Sequence, residues 1–311
     1  MKRKTKRSKR FFPKAILFVI LIIGIYFAWK QAAWANRPQT SGTAEYTTAT
    51  PPVAQTQETR FGITQRSLDT LIFTVPVHIA EITDTRYLEL VNFEYSINGE
   101  PDNGLIVSAW PSVPVRVTDI TLHKTALEAV SELFGAANEA GIGSFYVSSG
   151  YRDYDTQKQV YNDMQDKSFA QPPNHSEHQA GLAADILAMG VLQSEMADSH
   201  EGQWLAKNAW KHGLVLRYTE EKRDITGIAG EPWHFRYIGH PHAWYCQQQN
   251  LCFEEYIQLL KENGGYRATL DGKTYSVLYQ VPQNSIIYVP GHQNYYISGD
   301  NTGGFIITAW E

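Results

Sequence analysis

The chain has 311 residues, 43% of them from the hydrophobic set, enough to bury one large core or two small ones. Its formal net charge of −5 hides an asymmetry: residues 1–14 hold eight Lys or Arg and no acid, so the other 19 basic residues face 32 acidic ones, a net of −13. A basic body for nucleic acid is thereby excluded, and two cysteines are too few for a disulfide framework.

The basic head, residues 1–14, is followed by a charge-free apolar run from Ala15 to Trp29, with Ala32, Ala33 and Trp34 extending it. Such a run predicts a transmembrane signal anchor over 15–34, with the head held in the cytoplasm and the rest outside. A cleaved signal peptide is the alternative, because Ala33-Trp34-Ala35 has the small-x-small form of a cleavage site. Residues 35–60, rich in Thr, Pro, Gln, Ser and Ala, read as a disordered stalk.

Residues 61–121 are a lead-in to the folded part, in which Leu71–Val77 and Leu88–Tyr95 have the β-branched and aromatic content of short strands. Lys124–Ala140 spaces Leu127, Val130, Phe134 and Ala137 as one face of a helix stopped by Gly141. Ser144–Ser148 reads as a strand, and Asp153 as the N-cap of a helix carrying Val160 and Met164. Gly181 breaks the chain before a strand, Leu182–Ile186, whose alternation sets Ala183 and Asp185 on one face. Glu201–His212 reads as helix with Gly213 at its end. Pro232 biases Glu231 towards extended backbone, and His234–Ile238 can then be a strand with His234 and Arg236 on one side. Phe253–Asn263 is a final helix, and Lys273–Val281, Ser285–Val289, Tyr295–Ser298 and Phe305–Ala309 are strand-like. The expected fold is α+β: a small mixed or antiparallel sheet with flanking helices, spanning 122–263, plus a C-terminal antiparallel β appendage, 264–311. Cys246 and Cys252 are expected as buried or free thiols. The aromatic residues of the appendage, among them Tyr275, Tyr279 and Trp310, are expected to stabilise the sheet.

The chemistry concentrates in two stretches, Ser176 to Asp185 and Glu231 to His234. His178, Asp185 and His234 supply two imidazoles and a carboxylate, a donor set that suits a three-ligand zinc site with its fourth position open to water. Glu231, three residues before His234, is close enough to accept a proton from that water. The combination reads as a metal-dependent hydrolase. His200-Glu201 has no second His four residues after the first, so the helical zinc-protease signature is excluded.

These residues, with Ser149-Gly150-Tyr151-Arg152, Gln157, Gly213–Tyr218, Thr226-Gly227 and Glu231–Gly239, occur in an order similar to that of the VanY-type zinc D-alanyl-D-alanine carboxypeptidases. These enzymes are relatives of VanX and of the L,D-carboxypeptidases, and the resemblance runs from about Leu122 to Gly239. It implies one zinc ion on His178, Asp185 and His234, Glu231 as general base, and Arg152 meeting the carbonyl oxygen as charge develops. Gln157, Ser176 and Tyr218 are implied to hold the substrate, and Trp233 is expected to wall the pocket. His175 is expected beside the site or at the surface, and His240 and His242 at the surface. The partner implied is a peptidoglycan stem peptide ending in D-Ala-D-Ala, reached by a catalytic domain outside a membrane to which the N-terminus anchors it. Removal of that D-Ala would destroy a vancomycin target. The alternatives are an L,D-carboxypeptidase acting on tetrapeptides and a wall-binding module without catalysis. No Ser-x-x-Lys occurs, so an acyl-serine route has no nucleophile of that pattern.

Overall fold

Two apolar clusters organise the structure, a computed structural model that describes residues 73–311. The expected basic head, anchor and stalk all lie outside the described residues, and no helix among the described residues is long and apolar enough to cross a membrane.

The first cluster is built on an antiparallel sheet of four strands. It starts after β1 (Phe73–His78), the short antiparallel pair β2 (Ile106–Ser108) and β3 (Thr121–His123), and the helix α1 (Lys124–Glu139). The strands are β4 (Phe145–Ser149), β5 (Ala183–Ala188), β6 (Leu214–Tyr218) and β7 (Glu231–Tyr237), in the order β4-β5-β7-β6. Between them run α2 (Tyr154–Asp163) and α3 (His200–Asn208). Leu127, Val130, Leu133 and Phe134 of α1 and Leu205 of α3 bury against Val147, Ala184, Ile186 and Phe235 of the sheet. Fully burying such side chains stabilises by roughly 1.5–3 kcal/mol each. That face consumes the even-numbered residues of β5, and strand alternation therefore turns Ala183 and Asp185 to the other side. Asp153 caps α2 as expected, accepting from Thr156 N at 2.8 Å.

The second cluster joins α4 (His242–Gln249) and α5 (Phe253–Asn263) to the C-terminal strands. These are β8 (Gly265–Leu270), β9 (Lys273–Gln280), β10 (Ile286–Pro290), β11 (Asn294–Gly299) and β12 (Phe305–Trp310). Four of them form an antiparallel sheet in the order β11-β12-β9-β8, whose inner face sets Tyr266, Val277 and Ile306 on Phe253, Tyr256 and Leu260. Its other face packs Ile297 and Ile307 on Ile287 and Val289 of β10, which pairs with β1.

The structure corrects several local expectations. Leu88–Tyr95 is no strand: it is irregular, with Leu88, Glu89, Leu90 and Val91 buried. Its backbone groups are satisfied without a ladder, since Arg236 donates to the Tyr87 and Glu89 carbonyls and Asn301 to that of Leu90. β6, β8 and α4 were not expected, because tertiary partners rather than local pattern define them. His242 is fully buried, not at the surface: its ring nitrogens meet Tyr256, Tyr296 and Thr308 hydroxyls. His240 is partly buried against the Lys211 carbonyl.

Candidate active site

Antiparallel register creates the site. β5 and β7 pair so that Asp185 stands opposite His234, and Ala183 opposite Arg236. Directly opposed residues on one face of a sheet are neighbours, which brings a carboxylate and an imidazole together from 49 residues apart. The third donor comes from a single 3-10 turn, Glu177–Ala180, closed by Gly181 in the left-handed region (φ 69°). A side chain at Gly181 would meet Ile106 at 2.5 Å, so the turn depends on glycine twice over.

His178, Asp185 and His234 each offer one ligand atom, all within 4.8 Å of one another, and all three are buried. Asp185 Oδ1 lies 3.4 Å from His178 Nε2 and 3.3 Å from His234 Nδ1, yet makes no hydrogen bond and has almost no exposure. A buried carboxylate oxygen without a partner costs free energy unless something else fills its lone pair. Two imidazole nitrogens and that oxygen form a donor set fitting zinc, with room for a fourth ligand. Both rings are held from behind: His178 Nδ1 lies 2.7 Å from the Gly150 carbonyl, and His234 Nε2 3.2 Å from Glu177 Oε2. Each ring thereby presents its other nitrogen to the site.

Glu231 Oε2 is 3.7 Å from His234 Nδ1, and its side chain is almost entirely buried. Burial pushes its carboxyl up to about 8, with Asp185 and Glu177 adding to the rise against His234 and Arg152. Burial alone would lower His234, but the carboxylates of Asp185 and Glu177 outweigh it and raise the imidazole to about 9. His178 is lowered, by burial first and then by Arg152. For Asp185, burial is overcome by the two imidazoles, which hold its carboxyl well below the usual range.

Arg152 reaches the site across the sheet. Its guanidinium donates to Asp185 Oδ2 (3.3 Å), to Gln157 Oε1 (2.9 Å) and to Ser149 Oγ (3.1 Å). Gln157 in turn donates to the Gln171 carbonyl at 2.7 Å, so both ends of its amide are engaged inside the protein. Ser176 precedes the 3-10 turn and makes no side-chain cap bond. Tyr218 packs on His234 with ring centroids 4.8 Å apart, and burial keeps its hydroxyl protonated far above the usual range.

Arg152, Gln157, Ser176, Tyr218 and Trp233 line one cleft of about 260 Å³ together with Glu231, His178, Asp185 and His234. Its apolar wall comes from Val160, Met164, Phe169 and Ile228. A larger hollow, about 660 Å³ between Phe93, Ile225 and Gln258, contains none of these donors. His175 stands apart from the donor set, with Nδ1 2.6 Å from the Asn92 carbonyl. The sequence reading missed a buried ionic group behind the site, Glu177, Arg217, Arg236 and Glu254. It also missed Gln171, a cleft residue whose amide nitrogen and oxygen are both buried without partners. Nothing in a charge pattern marks which Arg and Glu will be buried; only the position of Glu177 beside His178 hinted at it.

The family model described as VanY, D-alanyl-D-alanine carboxypeptidase, matches residues 119–240. A D-alanyl-D-alanine carboxypeptidase of Enterococcus faecium is 38% identical over 194 residues, covering 62% of this chain and 63% of the relative; the chain thus spans less than two thirds of that relative's length. The putative carboxypeptidase YodJ of Bacillus subtilis (strain 168) is 34% identical over 187 residues, 56% of this chain and 68% of the relative. Among solved structures, the vancomycin resistance D,D-dipeptidase VanXYg in complex with a D-Ala-D-Ala phosphinate analogue aligns with a TM-score of 0.66 and 28% identity, over 76% of this chain and 98% of that one. That share exceeds the family-matched segment, so the likeness reaches beyond the four-stranded sheet. By the order of its motifs, by the family match and by these relatives, the chain belongs to the VanY family of D-alanyl-D-alanine carboxypeptidases.

Proposed function

We propose that this chain is a zinc-dependent D,D-carboxypeptidase that removes the terminal D-Ala from peptidoglycan stem peptides ending in D-Ala-D-Ala. The carrying observation is the unpaired Asp185 Oδ1 between His178 and His234, with Glu231 beside them and Arg152 on the opposite carboxylate oxygen. When bound to this donor set, zinc supplies Lewis acidity, which makes water a nucleophile near neutrality and polarises a carbonyl.

The protein's own groups do the rest. Glu231 accepts the proton of the attacking water at a carboxylate oxygen and returns it to the departing amine of D-Ala. A carboxyl raised by burial is suited to both halves of that transfer. Arg152, partly buried and braced by Gln157, offers guanidinium protons to the carbonyl oxygen as it gains charge. Ser176 and Tyr218 line the same cleft and bring hydroxyl side chains to the substrate's polar ends. Gln157 supports Arg152, and Trp233 with Met164 and Ile228 excludes water from a small apolar side chain.

The expected location is extracytoplasmic, on a membrane anchor at 15–34, where the wall substrate is found. Depletion of D-Ala-D-Ala termini there would remove the target of vancomycin. The test is D-Ala release from defined muropeptides. Release from pentapeptide but not tetrapeptide, lost in Glu231→Ala, is the expected result. Release from tetrapeptide alone would replace this reading with the L,D-carboxypeptidase, and equal rates for wild type and Glu231→Ala would remove the base assignment.

A further inference from the structure

Glu177 stands between Ser176 and His178, a position to which the sequence reading gave no role. Its carboxylate is completely buried, and it sits on the same 3-10 turn as His178. The two oxygens have separate tasks. Oε2 accepts from His234 Nε2 at 3.2 Å, while Oε1 accepts from Arg217 Nε at 2.8 Å and lies 3.5 Å from Arg236.

Arg217 is wholly buried and cannot lose its charge, so it must be matched by acids. Its remaining nitrogens form a two-pronged pair with Glu254 of α5, at 2.9 and 2.6 Å. Glu254 also accepts from Asn92, in the buried irregular segment before β2. Two buried cations, Arg217 and Arg236, thus meet two carboxylates, Glu177 and Glu254. The third group on Glu177 is the His234 ring, whose Nε2 faces Oε2.

The two histidines of the metal set are therefore gripped differently. His178 is held by the backbone carbonyl of Gly150, at a position where a Cβ would come within 2.3 Å of the Thr121 carbonyl. His234 is held by a carboxylate, which fixes its tautomer and makes its free nitrogen a stronger donor. From this geometry we infer that Glu177 is a positioning residue for His234. Arg217 and Glu254 extend its support to α5, outside the family-matched residues 119–240. The inference rests on His178, Asp185 and His234 being metal ligands, and it concerns metal affinity rather than turnover.

The test uses the full chain freed of metal, titrated with Zn2+ against a chromophoric chelator and with Co2+ by visible absorption. Glu177→Gln keeps the shape and removes the charge. It is expected to weaken Zn2+ affinity by about 10- to 100-fold and to shift the Co2+ ligand-field bands. Should that variant not fold, Glu177→Asp, which keeps the charge but withdraws it by one methylene, carries the same expectation. Glu254→Gln is expected to lower affinity by a smaller factor. A merely structural role would lower the melting temperature but leave the Co2+ spectrum and the affinity unchanged. A folded Glu177 variant binding within two-fold of wild type, with an unshifted spectrum, would overturn the inference. Neither readout needs substrate, so failure of the D-Ala assay leaves it standing, whereas a wild-type chain that binds no metal removes both.

Discussion

The Arg152 guanidinium lies 3.3 Å from Asp185 Oδ2, on the oxygen opposite the one that faces His178 and His234. One carboxylate therefore faces two imidazoles on one side and a cation on the other. Arg152→Ala is expected to reduce kcat by about 10²- to 10³-fold, roughly 2.7–4 kcal/mol of transition-state stabilisation. Arg152→Lys should recover only part of this, since a point charge cannot hold Asp185, Gln157 and Ser149 at once. Steady-state rates on D-Ala-D-Ala pentapeptide measure both, and a kcat within two-fold of wild type for Arg152→Ala would remove its role.

Glu231→Gln preserves size but cannot accept a proton. Loss of a general base typically costs about 10²- to 10⁴-fold, and the fall should appear in kcat. Zinc content, measured by atomic absorption, should stay at wild-type level, because Glu231 is not among the three clustered donors. Loss of metal from this variant would instead make Glu231 a ligand.

Dialysis against a chelator should abolish D-Ala release, and added zinc should restore it, while penicillin leaves the rate unchanged. The same metal should raise thermal stability, by about 2.7 kcal/mol at a free concentration 100 times the dissociation constant. A chelator-insensitive activity would contradict the mechanism.

His242 gives a stability dependence remote from the site. Burial, aided by His240, lowers its imidazole to about 3, whereas in the unfolded chain it lies near 6.5. Between those values the unfolded chain binds a proton that the native one refuses. This contribution to stability therefore falls as pH drops from about 6.5 towards 3, by roughly 1.4 kcal/mol per pH unit, and is constant above 6.5. His242→Gln removes that slope. Denaturant melts at pH 5.0 and 7.5 should show the variant gaining on wild type at the lower pH.

Cys246 and Cys252 are free and buried, and burial pushes Cys252 up to about 12 and Cys246 further. A thiol reagent should find neither in the native protein at pH 8 and both after denaturation.

The local pieces and the candidate donors are legible along the chain. The apolar spacing of 124–139 and 253–263, the Asp153 cap and the Gly181 break all report on neighbours within a few residues, where periodicity and capping are legible. The ordered motifs named the family and picked out His178, Asp185 and His234, which the structure brings together as a possible metal site, since residue types and their order are written in the chain. That Asp185 faces His234 follows only from the folded chain, because register is a pairing between strands and no local signal contains it. Only the fold shows that Leu88–Tyr95 is buried without being a strand, that His242 is internal, and that Gln157 is held by Arg152 and Gln171. The carboxylate behind His234 belongs to the same class. Glu177 is an ordinary acid in sequence, and only the folded chain surrounds it with Arg217, Arg236 and an imidazole, where removal from water makes each partner obligatory.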